Sequence, residues 1–214
     1  MIDPTEDIKT DRRRVRTRAA LMQAGQSLFA AQSVDAVSID DIVAAADVAK
    51  GSFYNHFSDK EALAREIAVT VRAEAEAQVD LANAGVTEPA SRMARGQAVF
   101  VRYAVRNPER ARAMMRLHAG ATLPNAPMNR GLRADIEAGL AAGVFRDLTV
   151  ETGLLMAMGM GMVAVTRVLE ADGPADPQAL SRDLNFGLLR GLGVAEDAAR
   201  TISAAAVADI FKES

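Results

Sequence analysis

The sequence predicts an all-α fold, with a three-helix N-terminal unit followed by a larger helical domain. Three observations carry that prediction. Apolar residues recur at i, i+3, i+4 spacing through nearly all of the 214 residues, and no stretch shows the strict alternation of a half-buried strand. Capping residues, glycines and prolines fall between the periodic segments, where helices start and stop. Half of the residues are hydrophobic, enough to bury a substantial core in one or two domains.

Charge and composition narrow the functional classes. A net charge of −3 argues against coating nucleic acid through overall positive charge, so any such binding has to be local. Lys9, Arg12, Arg13, Arg14, Arg16 and Arg18 supply a local basic run, opposed within it by Asp11 alone. The chain has no cysteine, which removes disulfides and cysteine metal sites and points to a cytoplasmic location. The opening "MIDPTEDIKTDRRR" lacks the apolar segment of a secretory signal. The longest uncharged run, Thr152 to Thr166, is shorter than the roughly 18 residues of a membrane span and reads as a buried helix.

Leu21, Ala24, Gly25, Leu28 and Phe29 form the apolar face of a first helix expected from about Arg12 to Gln32, with the basic run at its front. Next, Ser38 is a plausible N-cap, and Asp41, three residues on, can reach back to the cap's amide. Ile39, Ile42 and Val43 give that second helix its buried side. The pattern breaks at Ala46, Asp47 and Val48, where an Asp suits a tight turn because it tolerates left-handed backbone.

A further short helix is expected to begin near Ala49, in "AKGSFYNHFSDKEAL". Phe53 and Phe57 lie one turn apart and, with Val48, lock it onto the preceding helices. Lys50, Ser52, Asn55 and His56 occupy the other face, and Gly51 permits close approach of the backbone to a surface. Two short helices joined by such a turn are a helix-turn-helix, whose second helix can enter the DNA major groove. In "SDKE", Ser58 and Glu61 have capping-box spacing, and Lys60 sits at the positive end of the next helix, a placement that makes sense if a phosphate docks there.

The run "RTRAALMQAGQSLFAAQSVDAVSIDDIVAAADVAKGSFYNHFSDKEALARE" resembles the N-terminal domain of the tetracycline-repressor (TetR) family of bacterial transcription regulators, over roughly residues 12 to 66. The resemblance implies a homodimeric repressor that binds palindromic double-stranded operator DNA and is released by a small effector. It implies a DNA-binding domain over residues 1–60, with its motif at about 38–57, and an effector-binding and dimerisation domain over 61–214. Carried across by position, it implies base-edge or nearby backbone contacts from Lys50, Gly51 and Ser52, and phosphate or groove contacts from Tyr54, Asn55 and His56. Lys60 and Ser38 would hold phosphate at helix N-termini, and the basic segment that includes Arg16 and Arg18 would follow the backbone or reach a minor groove. Ala49, Asp47 and Ser33 depart from the usual pattern, which weakens local capping and leaves base specificity unassigned.

From Asp59 onward the sequence predicts further helices. The first runs from Asp59 toward Leu81 with Leu63, Ile67 and Val71 on one stripe; the next is stopped before Pro108 and followed by "ERARAMMRLHAG". "LPNAP" is expected to be a loop, Asn129 to Ala142 a helix ended by Gly143, and Thr149 to Asp172 a long apolar helix. Asp176 and Pro177 open a helix striped by Leu180, Leu184, Leu188 and Leu192, and the last spans Glu196 to Lys212.

The resemblance places a pocket among the middle helices for a small, largely apolar effector. Phe100, Tyr103, Met115, His118, Met156 and Met160 are its candidate walls, although a plain core would use the same residue types. It also implies a four-helix bundle between subunits, for which Met158, Gly161, Met162, Leu184, Gly187, Leu188 and Gly191 are candidates. With two histidines, no glycine-rich phosphate loop and no metal-ligand spacing, the sequence offers little for catalysis, and neither a cofactor nor a metal is expected. A helical adaptor that binds protein or lipid is the alternative to the regulator.

Overall fold

The structure, a computed structural model, describes residues 4–117, 129–170, 172–174 and 176–212, with residues 4–10 described by backbone alone. Among the described residues there are ten α-helices and no strand. They are α1 (Pro4–Ala31), α2 (Ile39–Ala45), α3 (Lys50–Tyr54), α4 (Lys60–Ala82), α5 (Pro89–Arg106), α6 (Pro108–Arg116), α7 (Arg130–Ala141), α8 (Val150–Leu169), α9 (Pro177–Gly191) and α10 (Glu196–Lys212).

Three boundaries differ from expectation. Helix α1 begins at Pro4 rather than Arg12, because Ile8 is a lone aliphatic residue in its polar first turns and leaves no apolar periodicity to read. Helix α8 stops at Leu169 instead of reaching Asp172, where Arg167 bonds the carboxylate of Glu170 and the carbonyl of Asp172 and closes a turn. The cap of α4 is Asp59, not Ser58. Its Oδ1 accepts from the Ala62 N–H at 2.6 Å while the Ser58 hydroxyl donates to Oδ2, because a carboxylate is the better acceptor at a positive helix end. The "LPNAP" loop lies outside the described residues.

Leu21 and Phe29 of α1, Ile42 of α2 and Phe53 of α3 are fully buried against Leu63, Ile67 and Val71 of α4. The same cluster continues into Tyr103, Ala111 and Val165, so the core is unbroken across residue 60. Helix α5 is the hub of the larger part, packing on α4, α6, α7, α8, α9 and α10. A second cluster around Ile136, Phe145, Leu154 and Leu188 closes α7, α8 and α9 onto it.

The apolar helix α8 is long and apolar enough to cross a membrane by length and composition, yet it packs against α5, α6, α7 and α9 of this bundle. It is not buried all round, as its sequence suggests. Leu155 is 46% exposed and Val163 67% exposed, and with Gly159 they form an uncovered stripe at i, i+4, i+8 spacing.

Candidate nucleic-acid interface and ligand cavity

The helix-turn-helix is set by local chemistry. The Ser38 Oγ accepts from the Asp41 N–H at 3.1 Å and the Asp41 carboxylate accepts from the Ser38 N–H at 2.9 Å, a complete capping box. Those bonds from Ser38 hold the Asp41 carboxyl below the usual carboxylate range. Asp47 takes the left-handed conformation at φ 52°, which turns the chain from α2 into α3. Phe53 and Phe57 then anchor the five-residue α3, their ring centroids 5.8 Å apart. Tyr54 packs edge-on to Phe53 and remains 55% exposed. Lys50, Gly51 and Asn55 are also exposed, while Ser52 and His56 are half-buried.

Packing decides which charges these residues meet. Lys50 pairs with Asp40 of α2 at 2.8 Å, and this partner raises its pKa. Arg16 is exposed on α1 with Arg12, Arg13 and Arg14. Arg18 is more engaged: it pairs with Glu66 of α4 and stacks 5.4 Å above the Phe57 ring. Burial, together with nearby Arg14 and Arg18, pushes the His56 imidazole below its ordinary pKa. The basic run of α1 therefore sits beside the end of α3. Lys60 donates to the carbonyls of Asp35 at 3.1 Å and Val37 at 2.9 Å, tying the start of α4 to the turn before α2.

Two connected spaces lie between α4, α5, α6, α7 and α8. An inner cavity of about 60 Å³ is walled by Phe100, Met114, Met115, Met158, Gly161 and Met162. Past Arg72, Gln97, Phe100 and Leu132, which line both spaces, an outer cleft of about 540 Å³ carries Glu76, Asp80, Arg92, Arg130 and Asp135. The cleft's size is that of small-molecule sites, on the order of 300–1,000 Å³. Its charges are largely matched: Arg72 pairs with Glu76 at 2.7 Å and Arg92 with Asp135 at 2.6 Å. Arg72 also stacks 5.1 Å over Phe100.

Of the residues expected to form the pocket, Phe100 and Met115 do line it. Tyr103 does not, because its ring is buried in the core shared with α1 and α4 and its hydroxyl reaches Glu74. Met156 turns toward Gly191, and Met160 toward a small gap beside Leu184 and Leu188, both on the α9 side of α8. His118 lies outside the described residues. Arg72 and Gln97 were missed, because nothing in their spacing distinguishes a cavity wall from a solvated helix face.

The residues expected at a subunit interface also divide. Met158, Gly161 and Met162 face the inner cavity, and Leu188 is buried in the second core. The three on α8 point inward because α5 and α6 cover that side of it, and Leu188 does so because α9 packs on α5 and α8. Gly187 and Gly191 are exposed and Leu184 is half-buried. The uncovered apolar stretch of α8 is instead Leu155, Gly159 and Val163.

Residues 21–67 match the profile of the bacterial regulatory proteins of the tetR family. The HTH-type transcriptional repressor DhaR of Mycobacterium sp. (strain GP1) is 41% identical over 54 residues, 25% of this chain and 27% of that repressor. The chain thus spans about a quarter of the length of that relative. A bacterial regulatory protein of the tetR family from Rhodococcus RHA1 superposes with a TM-score of 0.67 at 21% identity, over 84% of this chain and 98% of that one. RolR in complex with resorcinol superposes with a TM-score of 0.61 at 24% identity, over 91% of this chain and 96% of that one. The match in sequence is thus confined to the helix-turn-helix unit, while the solved structures share the fold over most of the chain.

Proposed function

We propose that this chain is a tetR-family member, a cytoplasmic transcriptional repressor that binds a palindromic operator as a homodimer and leaves it when a small molecule occupies the cleft. One observation carries this reading. Helix α4 runs unbroken from Lys60, tied to the turn before α2, to Arg72 and Glu76 in the cavity wall. At about 1.5 Å per residue, the stretch from Lys60 to Arg72 is roughly 18 Å of continuous helix, along which a displacement at the cavity can reach the reading head. Helix α6 gives a second route, since it supplies Met114 and Met115 to the cavity while Glu109 accepts from Ser27 of α1 and Arg110 pairs with Glu74 of α4.

At the DNA, Lys50, Gly51 and Ser52 lead α3 into the major groove, with Tyr54, Asn55 and His56 at its edge. Arg16, the Ser38 end of α2 and the Lys60 end of α4 take phosphates. The homodimer forms through Leu155, Gly159 and Val163 of α8 with Leu184, Gly187 and Gly191 of α9, which covers the stripe left open on α8. DhaR is a repressor and RolR holds resorcinol, which supports the pairing of DNA binding with ligand binding here.

Selection of DNA by the full chain from a random pool tests the proposal. The expected result is an inverted repeat whose affinity falls steeply with salt. Recovery of no preferred sequence would overturn it and favour the adaptor.

A further inference from the structure

Gln97 lies on α5 at the junction of the inner cavity and the outer cleft. Its Nε2 donates to the Ala157 carbonyl of α8 at 2.9 Å, which fixes the orientation of the amide, since a carbonyl can only accept. The Oε1 is thereby left beside Gly161, where a Cβ would come within 2.8 Å of it. Gly161 is thus the residue that lets the amide seat on the α8 backbone. Among the described residues no donor reaches that Oε1, whereas the neighbouring Arg72 guanidinium is already matched by Glu76. The rest of the inner wall is apolar, with Phe100 and four methionines beside the aliphatic Leu132, Ala157 and Val165.

We infer that the effector is a neutral arene bearing a hydroxyl group, with Gln97 as the residue that selects it. This rests on the ligand-released reading above. The hydroxyl donates to Gln97 Oε1, and the ring lies on Phe100 at the junction and extends into the outer cleft, because the inner cavity of about 60 Å³ is smaller than the roughly 150 Å³ that holds a benzene ring. A carboxylate is disfavoured twice. It presents no proton to Oε1, and the guanidinium next to Gln97, that of Arg72, is already held by Glu76.

The test uses p-cresol, its methyl ether and p-toluate, titrated calorimetrically into the full chain without DNA. The unaltered protein is expected to bind p-cresol roughly tenfold more tightly than the ether, the worth of one buried hydrogen bond, and p-toluate most weakly. In Gln97→Leu, checked by its melting curve for a native fold, the preference for p-cresol over the ether is expected to vanish. Equal binding of cresol and ether by the unaltered chain overturns the inference without relying on any variant. So does failure of p-cresol to bind, or a cresol preference that survives in Gln97→Leu. Operator release, followed by fluorescence anisotropy, separates the two claims. Selective binding without release supports the assignment of Gln97 and defeats the release reading, whereas release by compounds with no dependence on Gln97 does the reverse.

Discussion

Lys50, the first residue of α3, is ion-paired at 2.8 Å to Asp40 in the first turn of α2. The residue placed to lead the reading helix is therefore partly neutralised from within its own motif. If α3 docks as proposed, DNA has to compete with Asp40 for this cation. Asp40→Asn is expected to tighten operator binding a few-fold and to steepen its salt dependence, because a phosphate then meets a lysine without a rival. Anisotropy titrations at several salt concentrations check this, and unchanged affinity would place Lys50 away from the DNA.

Gly51 separates stability from recognition. It is exposed on α3, and an added Cβ would meet nothing within 4 Å in the free chain. Gly51→Ala should therefore raise stability by about 0.5–1 kcal/mol, the usual gain from removing a helical glycine. If the backbone of α3 approaches the groove at this point, the same methyl group weakens operator binding. A higher melting temperature with reduced affinity is the expected pair of results.

His56 makes both folding and binding sensitive to pH, in opposite directions. Its folded pKa lies below the ordinary 6.5, chiefly through burial and then through Arg14 and Arg18. The unfolded chain therefore takes up the proton first as pH falls. Stability should decline as pH drops through about 6.5 and level off below the folded pKa. A phosphate beside His56 raises its pKa instead, so operator binding should tighten over the same interval. His56→Gln is expected to flatten both profiles, measured by melting curves and by binding titrations from neutral pH downward.

Val163 tests how α8 is covered. It is 67% exposed on the apolar stripe, so a charge there is harmless to a lone subunit and intolerable in a packed interface. Val163→Asp should leave the helical spectrum intact and shift sedimentation from dimer to monomer. Operator affinity should drop with it, since a monomer reads one half-site. A variant that remains dimeric would move the interface off this stripe.

Much of the DNA-binding unit was legible because its signals are local. Ser38 and Asp41 cap within four residues of each other, Asp47 turns the chain by its own backbone tolerance, and Phe53 and Phe57 reveal their shared face by spacing alone. The helix boundaries at Pro89, Pro108, Pro177 and Glu196 were equally readable from proline and acidic caps. Tertiary structure decided what no spacing encodes. It paired Lys50 with Asp40 and Arg18 with Glu66, bonded Lys60 to backbone carbonyls, and brought Arg14 beside His56. It also sorted the methionines of α8, turning Met158 and Met162 to the cavity and leaving Leu155 and Val163 uncovered. A helix apolar on every side carries no periodicity, so only the neighbours that pack against it determine which face becomes core, cavity or interface.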